Sequence, residues 1–226
     1  MSLITITLVE TSAYYVGRHL ATIGGYFYVQ EALPKSFELY MKTRDPALGW
    51  SRDDDRARDK SGSLIIPEYP DPERHSPCVS LYGDSFVSAP NVNHKDSWAN
   101  VLSGLLHCRV ANYGVAGYGT DQSLLRYVAN GSDESPIVIL CHESDDVIRN
   151  VNRYRNFISP QHDVPLFKPR FVANNGHLQL VPVPEWSAQQ YRRFLQDPSE
   201  FLDHEFFVPG VLTVTYLSAS LLPIPC

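Results

Sequence analysis

The sequence predicts an α/β domain in which a parallel sheet carries helices on both faces. Three short apolar runs, at residues 78–82, 109–113 and 137–141, are typical of buried strands. The runs begin about 30 residues apart, which is the length of a βαβ unit, and apolar residues at helical spacing follow each of them. This repeated strand–helix order favours right-handed crossovers and therefore a parallel sheet.

The segments between and after these runs are predicted to be helices. We expect Asp96 to cap the first helix and Asp121 the second, and we expect the third to begin near Val147. Because the run 137–141 is continuously apolar, it is expected to be buried on both faces. The apolar residues of the first helix are expected to be core: Trp98, Val101, Leu102, Leu105 and Leu106.

Less regular regions lie on both sides of this core. Residues 1–70 are predicted to be an N-terminal extension that packs on the domain after it. The extension has a turn at 45–50, where Trp50 is an anchor, and a mobile charged loop at 52–60. Residues 71–226 form the α/β domain, with a proline-rich insert at about 158–186. Further predicted elements are a hairpin at 170–183 around Asn175-Gly176, a capping box at 187–190, a helix from 197 and a strand at 211–217.

Composition excludes some classes of partner. The chain has 226 residues with 43% apolar and 12% aromatic content, which indicates a globular protein. The net charge of −6 and the lack of a basic stripe argue against a nucleic-acid partner. The basic residues at 149–155 are interleaved with polar and apolar ones and are interpreted as a solvated helix face.

The cysteines and the first residues of the chain indicate in which cellular compartment we expect the protein. The four cysteines form no CxxC pair and no zinc spacing, and Cys78 and Cys141 are expected to be small core residues. No disulfide is required, so a reducing compartment is favoured. The first residues form neither a secretory signal nor a membrane span, so we expect a cytoplasmic protein without a membrane partner.

Candidate functional residues follow each predicted strand. Gly83-Asp84-Ser85-Phe86 comes directly after the first apolar run. Many α/β enzymes hold a nucleophilic serine in this way, in a tight turn at the end of a buried strand. Residues 112–117 follow the second run, and residues 143–146 follow the third. Since the carboxyl ends of parallel strands share one sheet edge, we expect these three segments to converge.

On these three segments the chain resembles the SGNH/GDSL hydrolase family. The family's blocks match residues 81–86, 112–117 and 143–146, and the resemblance covers roughly residues 77–156. It implies a flavodoxin-like α/β/α fold and a serine that hydrolyses esters or transfers acyl groups. By this resemblance Ser85 is the nucleophile and donates its own backbone N–H to an oxyanion hole. Gly117 would supply a second N–H, and Asp145 stands where the third donor, an Asn, is expected; no cofactor and no metal are implied.

The chain departs from the family pattern at Asp145. A carboxylate accepts hydrogen bonds and repels an oxyanion, so either Asp145 is protonated, or the hole uses backbone donors, or turnover is poor. Asp145 is equally well interpreted as a helix N-cap. Gly114, Gly117 and Gly119 also have a simpler interpretation, as turn glycines.

A second departure concerns the catalytic base. No Asp-x-x-His block follows Asp146, so His142 and then His204 are the substitute candidates. The hydrolase domain, residues 71–226, is therefore expected to be incomplete at its C-terminus. An exposed apolar sheet edge would then favour self-association.

Three functions follow from this pattern. The first is a serine esterase that acts on a small acyl ester, such as an O-acetyl group on a carbohydrate. The second is a catalytically impaired or inactive truncated domain that binds a ligand or partner without turnover. The third is an acyltransferase that uses the same serine.

Overall fold

The structure, a computed structural model, describes residues 3–24, 34–50, 56–131, 133–159 and 164–196. The helices are α1 (Leu3–Gly24), α2 (Pro34–Thr43), α3 (Ser85–Ser88), α4 (Trp98–Leu106), α5 (Thr120–Ala129), α6 (Ser144–Asn150) and α7 (Ala188–Gln196). The strands are β1 (Pro77–Tyr82), β2 (Arg109–Asn112), β3 (Ile137–Leu140), β4 (Arg170–Asn174) and β5 (His177–Val181). Short 3₁₀ turns lie at Pro72–Arg74, His94–Asp96 and Arg155–Phe157.

The chain divides into two compact units. One comprises residues 41–153 and 167–185, and it contains all five strands. The other comprises residues 1–40, 154–166 and 186–226. The predicted helix from 197 and the predicted strand at 211–217 lie outside the described residues, as does the charged stretch 51–55.

A parallel sheet with the strand order β2-β1-β3 organises the first unit. Ser80 of β1 pairs with Ala111 of β2 on one side and with Val138 of β3 on the other, and both pairings are parallel. The three strands and their parallel order confirm the prediction of an α/β fold.

The two faces of β1 carry different side chains because a strand alternates its residues between faces. On one face Val79 and Leu81 pack with Val87 of α3 and Ala99 of α4, and all four are buried. On the other face Tyr82 stacks on Tyr113, with ring centroids 4.7 Å apart. Tyr82 also contacts Tyr127 of α5, so α4 and α5 lie on opposite faces of the sheet.

A polar network completes the α5 face. The Tyr82 hydroxyl donates to Asp133 Oδ2 over 2.6 Å, and the Ser80 hydroxyl donates to Asp133 Oδ1 over 2.9 Å. Partial burial disfavours the Asp133 carboxylate, but hydrogen bonds from Tyr82, Ser135 and Ser80 together lower its pKa below the ordinary value. Burial and the same carboxylate raise the pKa of Tyr82. These bonds attach the segment before β3 to the central strand.

The prediction that β3 is buried on both faces is wrong. Its residues are 38–55% exposed, because β3 is hydrogen-bonded to β1 on one side only within the described residues. The outer face of α4 is also more open than predicted. Trp98, Val101, Leu105 and Leu106 are all exposed, and Leu102 packs against the core.

Two helix caps differ from the predicted residues. Helix α4 is capped at Ser97, because Asp96 belongs to the 3₁₀ turn that precedes it. Helix α5 is capped at Gly119, and Asp121 lies in its first turn. The Asp121 carboxylate is buried there and forms an ion pair with Lys168. The Asp121 side chain is thus the counter-ion of Lys168 instead of the cap of α5.

The turn at 45–50 confirms the predicted anchor. Gly49 N–H donates to the Asp45 carbonyl over 2.8 Å, which closes the turn. The Trp50 indole N–H then donates to the Ala116 carbonyl over 3.2 Å. The charged stretch after it is not all a mobile loop, because Asp59 is buried in an ion pair with Arg109.

The hairpin and the capping box confirm two further predictions. Strands β4 and β5 pair in antiparallel register around Asn175 and Gly176, which both have positive φ, as a type I′ turn requires. In the second unit Ser187 Oγ accepts from Gln190 N–H over 3.3 Å, and Gln190 Oε1 accepts from Ser187 N–H over 2.9 Å. Helix α7 begins at this box.

Aromatic side chains form the core of the second unit. Phe37 stacks on Tyr191 with ring centroids 4.2 Å apart, and Tyr154 packs edge-on against Phe157 and Phe194. Among the described residues, none of the helices combines the length and the apolar character that crossing a bilayer requires.

The predicted absence of disulfides is wrong. Cys78 at the start of β1 is bonded to Cys108 just before β2, with their Cα atoms 6.0 Å apart. The parallel pairing of β1 and β2 brings the two residues together although 30 positions separate them in sequence. Cys141 is the free cysteine of the described residues. Because disulfides persist in oxidising environments, this bond removes the argument for a reducing compartment.

We predict that reduction of Cys78–Cys108, or the double replacement Cys78→Ser and Cys108→Ser, lowers the free energy of unfolding by about 2–4 kcal/mol. The reason is that the bond closes a loop and restricts the unfolded chain. Urea unfolding with and without dithiothreitol measures the effect. Cys141→Ser is the matched control and should leave the difference between oxidised and reduced protein unchanged. Equal midpoints for oxidised and reduced protein would contradict the assignment.

Candidate active site

In the structure the three segments are residues 83–88 after β1, residues 112–120 at and after the end of β2, and residues 141–146 after β3, and they meet at the carboxyl edge of the sheet. Val115 N–H donates to the Gly83 carbonyl over 3.1 Å, which joins the first segment to the second. Cys141 N–H donates to the Tyr82 carbonyl over 2.8 Å, which joins the first to the third. This convergence was predicted from the parallel strand order.

Ser85 opens helix α3, directly after the turn that leaves β1. Asp84 is the N-cap, and its Oδ1 accepts from Phe86 N–H over 2.9 Å. Ser85 is half-buried, and its hydroxyl forms no hydrogen bond with any residue in the described ranges. The backbone around Ser85 is therefore fixed, while the hydroxyl itself keeps its bonding capacity for another molecule.

Glycines allow the second segment to approach α3 closely. A Cβ on Gly114 would lie 2.5 Å from Ser88 N, a distance that side chains do not tolerate. Asn112 stabilises this close contact through two hydrogen bonds. Its Nδ2 donates to the Val87 carbonyl over 2.7 Å, and its Oδ1 accepts from Gly114 N–H over 2.9 Å. The start of the second segment is thereby fixed against the helix that carries Ser85.

Gly117 lies further along this second segment, in a bend anchored by Trp50. It is buried and has a φ of 78°, a left-handed conformation that favours glycine. The Tyr118 hydroxyl donates to the Trp50 carbonyl over 2.6 Å, and the Trp50 indole binds Ala116 on the other side of Gly117. The turn-glycine interpretation of Gly117 is thus compatible with its positive φ.

One side chain, Arg149 of α6, binds all three segments. Its Nη1 lies 2.7 Å from Asp84 Oδ2 in the first segment and 3.3 Å from the Tyr118 carbonyl in the second. The same atom lies 3.0 Å from Asp146 Oδ1 and 3.1 Å from Glu143 Oε1 in the third. A single guanidinium therefore positions the residue before Ser85, the residue after Gly117 and the start of α6.

The interpretation of Arg149 as part of a solvated helix face is wrong, because this residue is only 9% exposed. Burial disfavours its charge, but the hydrogen bond to Asp84 and the charges of Asp84, Asp146 and Glu143 outweigh burial and raise the pKa of Arg149. The signal available in sequence was the spacing of Asp146 and Arg149, three residues apart on one helix. The contact with Asp84 has no sequence signal.

Arg149 also explains why the acidic residues here cluster without a metal ion being needed. Oxygen atoms of Asp84, Glu143 and Asp146 lie within 4.8 Å of one another, the one such grouping among the described residues. Nη1 of Arg149 is within 3.1 Å of an oxygen from each of them. The guanidinium thus occupies the centre of the cluster, which we assign as an ion-pair network.

Asp145 lies at the rim of this network. Its side chain is 65% exposed, and its Oδ2 is 3.7 Å from Nη2 of Arg149. The N-cap of α6 is Glu143, so the N-cap interpretation of Asp145 is wrong. Asp146 Oδ2 accepts from Glu143 N–H over 3.3 Å, which closes this end of the helix.

His142, the residue between β3 and the Glu143 cap, belongs to a second polar chain. Its Nδ1 lies 2.7 Å from Thr120 Oγ1 and 3.5 Å from Asp146 Oδ2. The Thr120 hydroxyl donates to the same Asp146 oxygen over 3.1 Å. Thr120 was not a candidate in the sequence analysis, and His204, the other substitute base, lies outside the described residues.

Comparison with family models, curated proteins and solved structures finds no match to this chain.

We predict that Arg149→Met lowers the free energy of unfolding by about 3–5 kcal/mol, because it leaves the buried carboxylates of Asp84 and Asp146 without their counter-ion. Thermal and urea unfolding measure the effect. Arg126→Met is the matched control, since Arg126 is equally buried but donates to the Gly62 carbonyl. We expect the control to lose only about 1 kcal/mol. Equal losses in the two variants would show that the carboxylates do not depend on Arg149.

Proposed function

We propose that this protein is a serine ester hydrolase of the SGNH/GDSL type in which Ser85 carries the acyl group. The observation that carries the proposal is the position of Ser85, which opens α3 directly after the Gly83 turn that is hydrogen-bonded to the second segment. Arg149 links all three segments through one guanidinium nitrogen. The resemblance to this family in residues 81–86, 112–117 and 143–146 assigns the same three segments to its catalytic blocks.

We also propose that the sheet is the beginning of a flavodoxin-like α/β/α fold. The order β2-β1-β3 is that of the first three strands in such sheets. Ligands bind these folds outside the carboxyl ends of the strands, at the point where the strand order reverses. Ser85 follows β1, the central strand of this order, and so occupies the expected place.

In the proposed reaction the Ser85 hydroxyl oxygen attacks the carbonyl carbon of an ester. The tetrahedral intermediate places its negative charge near the backbone N–H groups of Ser85 and Gly117. Each preorganised donor of this kind contributes about 3 kcal/mol of transition-state stabilisation. The alcohol then leaves, and water releases the acid from the acyl-enzyme.

The charges at the site favour a neutral substrate. Four carboxylates, those of Asp84, Glu143, Asp145 and Asp146, surround the single guanidinium of Arg149. The net negative charge would repel a phosphorylated or carboxylated molecule. A small acyl ester, such as an O-acetyl group on a carbohydrate, carries no charge and meets this condition. Arg149 also partly neutralises Asp145, which reduces the repulsion between Asp145 and an oxyanion.

A specific observation favours the second candidate function, a domain that binds without turnover. Strand β3 is exposed along its whole length, and Leu105 of α4 is 72% exposed. An apolar edge strand of this kind is a template for pairing with another chain. In this alternative the protein self-associates through β3, and an acyltransferase reaction at Ser85 is the less favoured third function.

We predict that a fluorophosphonate probe labels the wild-type protein at Ser85 and does not label Ser85→Ala. The probe reacts with serines that are activated as nucleophiles. Ser88→Ala is the matched control, because Ser88 lies in the same helix, is buried and should not react. Intact-protein mass spectrometry measures the adduct. Folded wild-type protein that remains unlabelled, or equal labelling of Ser85→Ala, would overturn the proposed function.

A further inference from the structure

We infer that His142, oriented by Thr120 and Asp146, is the base that takes the proton from Ser85. This inference rests on the proposed function. It assigns the base to the third segment of the site, whereas the SGNH/GDSL family supplies its base from a later Asp-x-x-His block, which is not found after Asp146 in this sequence.

The tautomer follows from the bonds around Thr120. A carboxylate can only accept, so the contact of 3.1 Å between Thr120 Oγ1 and Asp146 Oδ2 requires the Thr120 hydroxyl to donate its proton. The 2.7 Å contact between the same oxygen and His142 Nδ1 then requires Nδ1 to be the donor. Neutral histidine carries one proton, so the lone pair is on Nε2.

The surroundings of the His142 ring fix its orientation and leave one nitrogen able to act as a base. Asp146 is 2% exposed and faces Nδ1 at 3.5 Å, while the His142 side chain is 52% exposed. Nε2 forms no hydrogen bond with any residue that the structure describes. Thr120, which is itself bonded to the buried Asp146 carboxylate, therefore holds Nδ1, and Nε2 is left to accept a proton.

The backbone bonds place the start of the third segment, which carries His142, beside the turn that leads to Ser85. Leu140 pairs with Tyr82, and Cys141 N–H donates to the Tyr82 carbonyl, so the chain leaves β3 beside the Gly83–Ser85 turn. Arg149 Nη1 binds both Asp84, which precedes Ser85, and Asp146, which orients His142. His142 is the one histidine in segments 83–88, 112–120 and 141–146.

The proton balance of the reaction uses one imidazole twice. As the bond from Ser85 Oγ to the carbonyl carbon forms, the hydroxyl proton moves to His142 Nε2 and the carbonyl electron pair moves to oxygen. The intermediate collapses, the bond to the leaving alkoxide breaks, and Nε2 returns the proton to that oxygen. Water then attacks the acyl-enzyme, gives a proton to Nε2, and Ser85 Oγ takes the proton as the acid leaves.

The test measures the rate at which fluorophosphonate labels Ser85 in four proteins: the wild type, His142→Ala, His142→Gln and His177→Ala. We expect both His142 variants to react 10²–10⁴-fold more slowly, the usual contribution of a general base. Added imidazole should restore part of the rate in His142→Ala and not in His142→Gln, whose side chain fills the space. His177 is exposed in the β4–β5 hairpin and serves as the control with an unchanged rate.

The outcomes separate the two proposals. Labelled wild type together with full-rate His142→Ala and His142→Gln would overturn the assignment of the base and leave the function at Ser85 intact. Unlabelled wild-type protein would overturn both. A slow His142→Ala without rescue, alongside a full-rate His142→Gln, would show a structural effect and also overturn the assignment. Circular dichroism of each variant establishes that the comparison is made on folded protein.

Discussion

The ion-pair network around Arg149 is the interaction on which the candidate site depends. Three strand ends that are distant in sequence each contribute an oxygen to the same guanidinium nitrogen, and all of them do so in a buried environment. Unpaired buried carboxylates are costly, so the arginine and its partners hold one another in place. The main-chain bonds at Gly83 and Tyr82 align the strands, and Arg149 then fixes the loops that follow them. Both the position of Ser85 and the orientation of Asp146 follow from this one contact.

The same network accounts for the chemistry that we propose. Asp146 uses one oxygen for Arg149 and the other for Thr120 and Glu143, so a single carboxylate links the buried cation to the His142 ring. The proposed nucleophile Ser85, the carboxylate of Asp146 and the half-exposed His142 ring then belong to segments of one sheet edge. The remaining negative charge is our reason for proposing a neutral ester as the substrate. The proposed base is supplied by the segment after β3, so the reaction does not require an Asp-x-x-His block.

Patterns that depend on local spacing were predictable from the sequence. The three strands, their parallel order, the Asn175-Gly176 turn and the capping box at Ser187 each have a short-range signal, and the structure confirms all four. Features set by long-range contacts were not predictable. Nothing near Arg149 in sequence indicates that Asp84 will bury it, and the disulfide between Cys78 and Cys108 becomes visible only when β1 and β2 are paired. The exposure of β3 also depends on which strands lie beside it, because apolar character alone does not distinguish a central strand from an edge strand.

The proposed function requires Ser85 to accept an acyl group. Brief exposure of the protein to an activated acetyl ester, followed by acid quenching and peptide mapping by mass spectrometry, detects this acylation. We predict an acetyl group on the peptide that contains Ser85, formed rapidly and then lost on further incubation in water. Folded protein that carries no acetyl group on Ser85, or that is acetylated only at surface lysines, would contradict it.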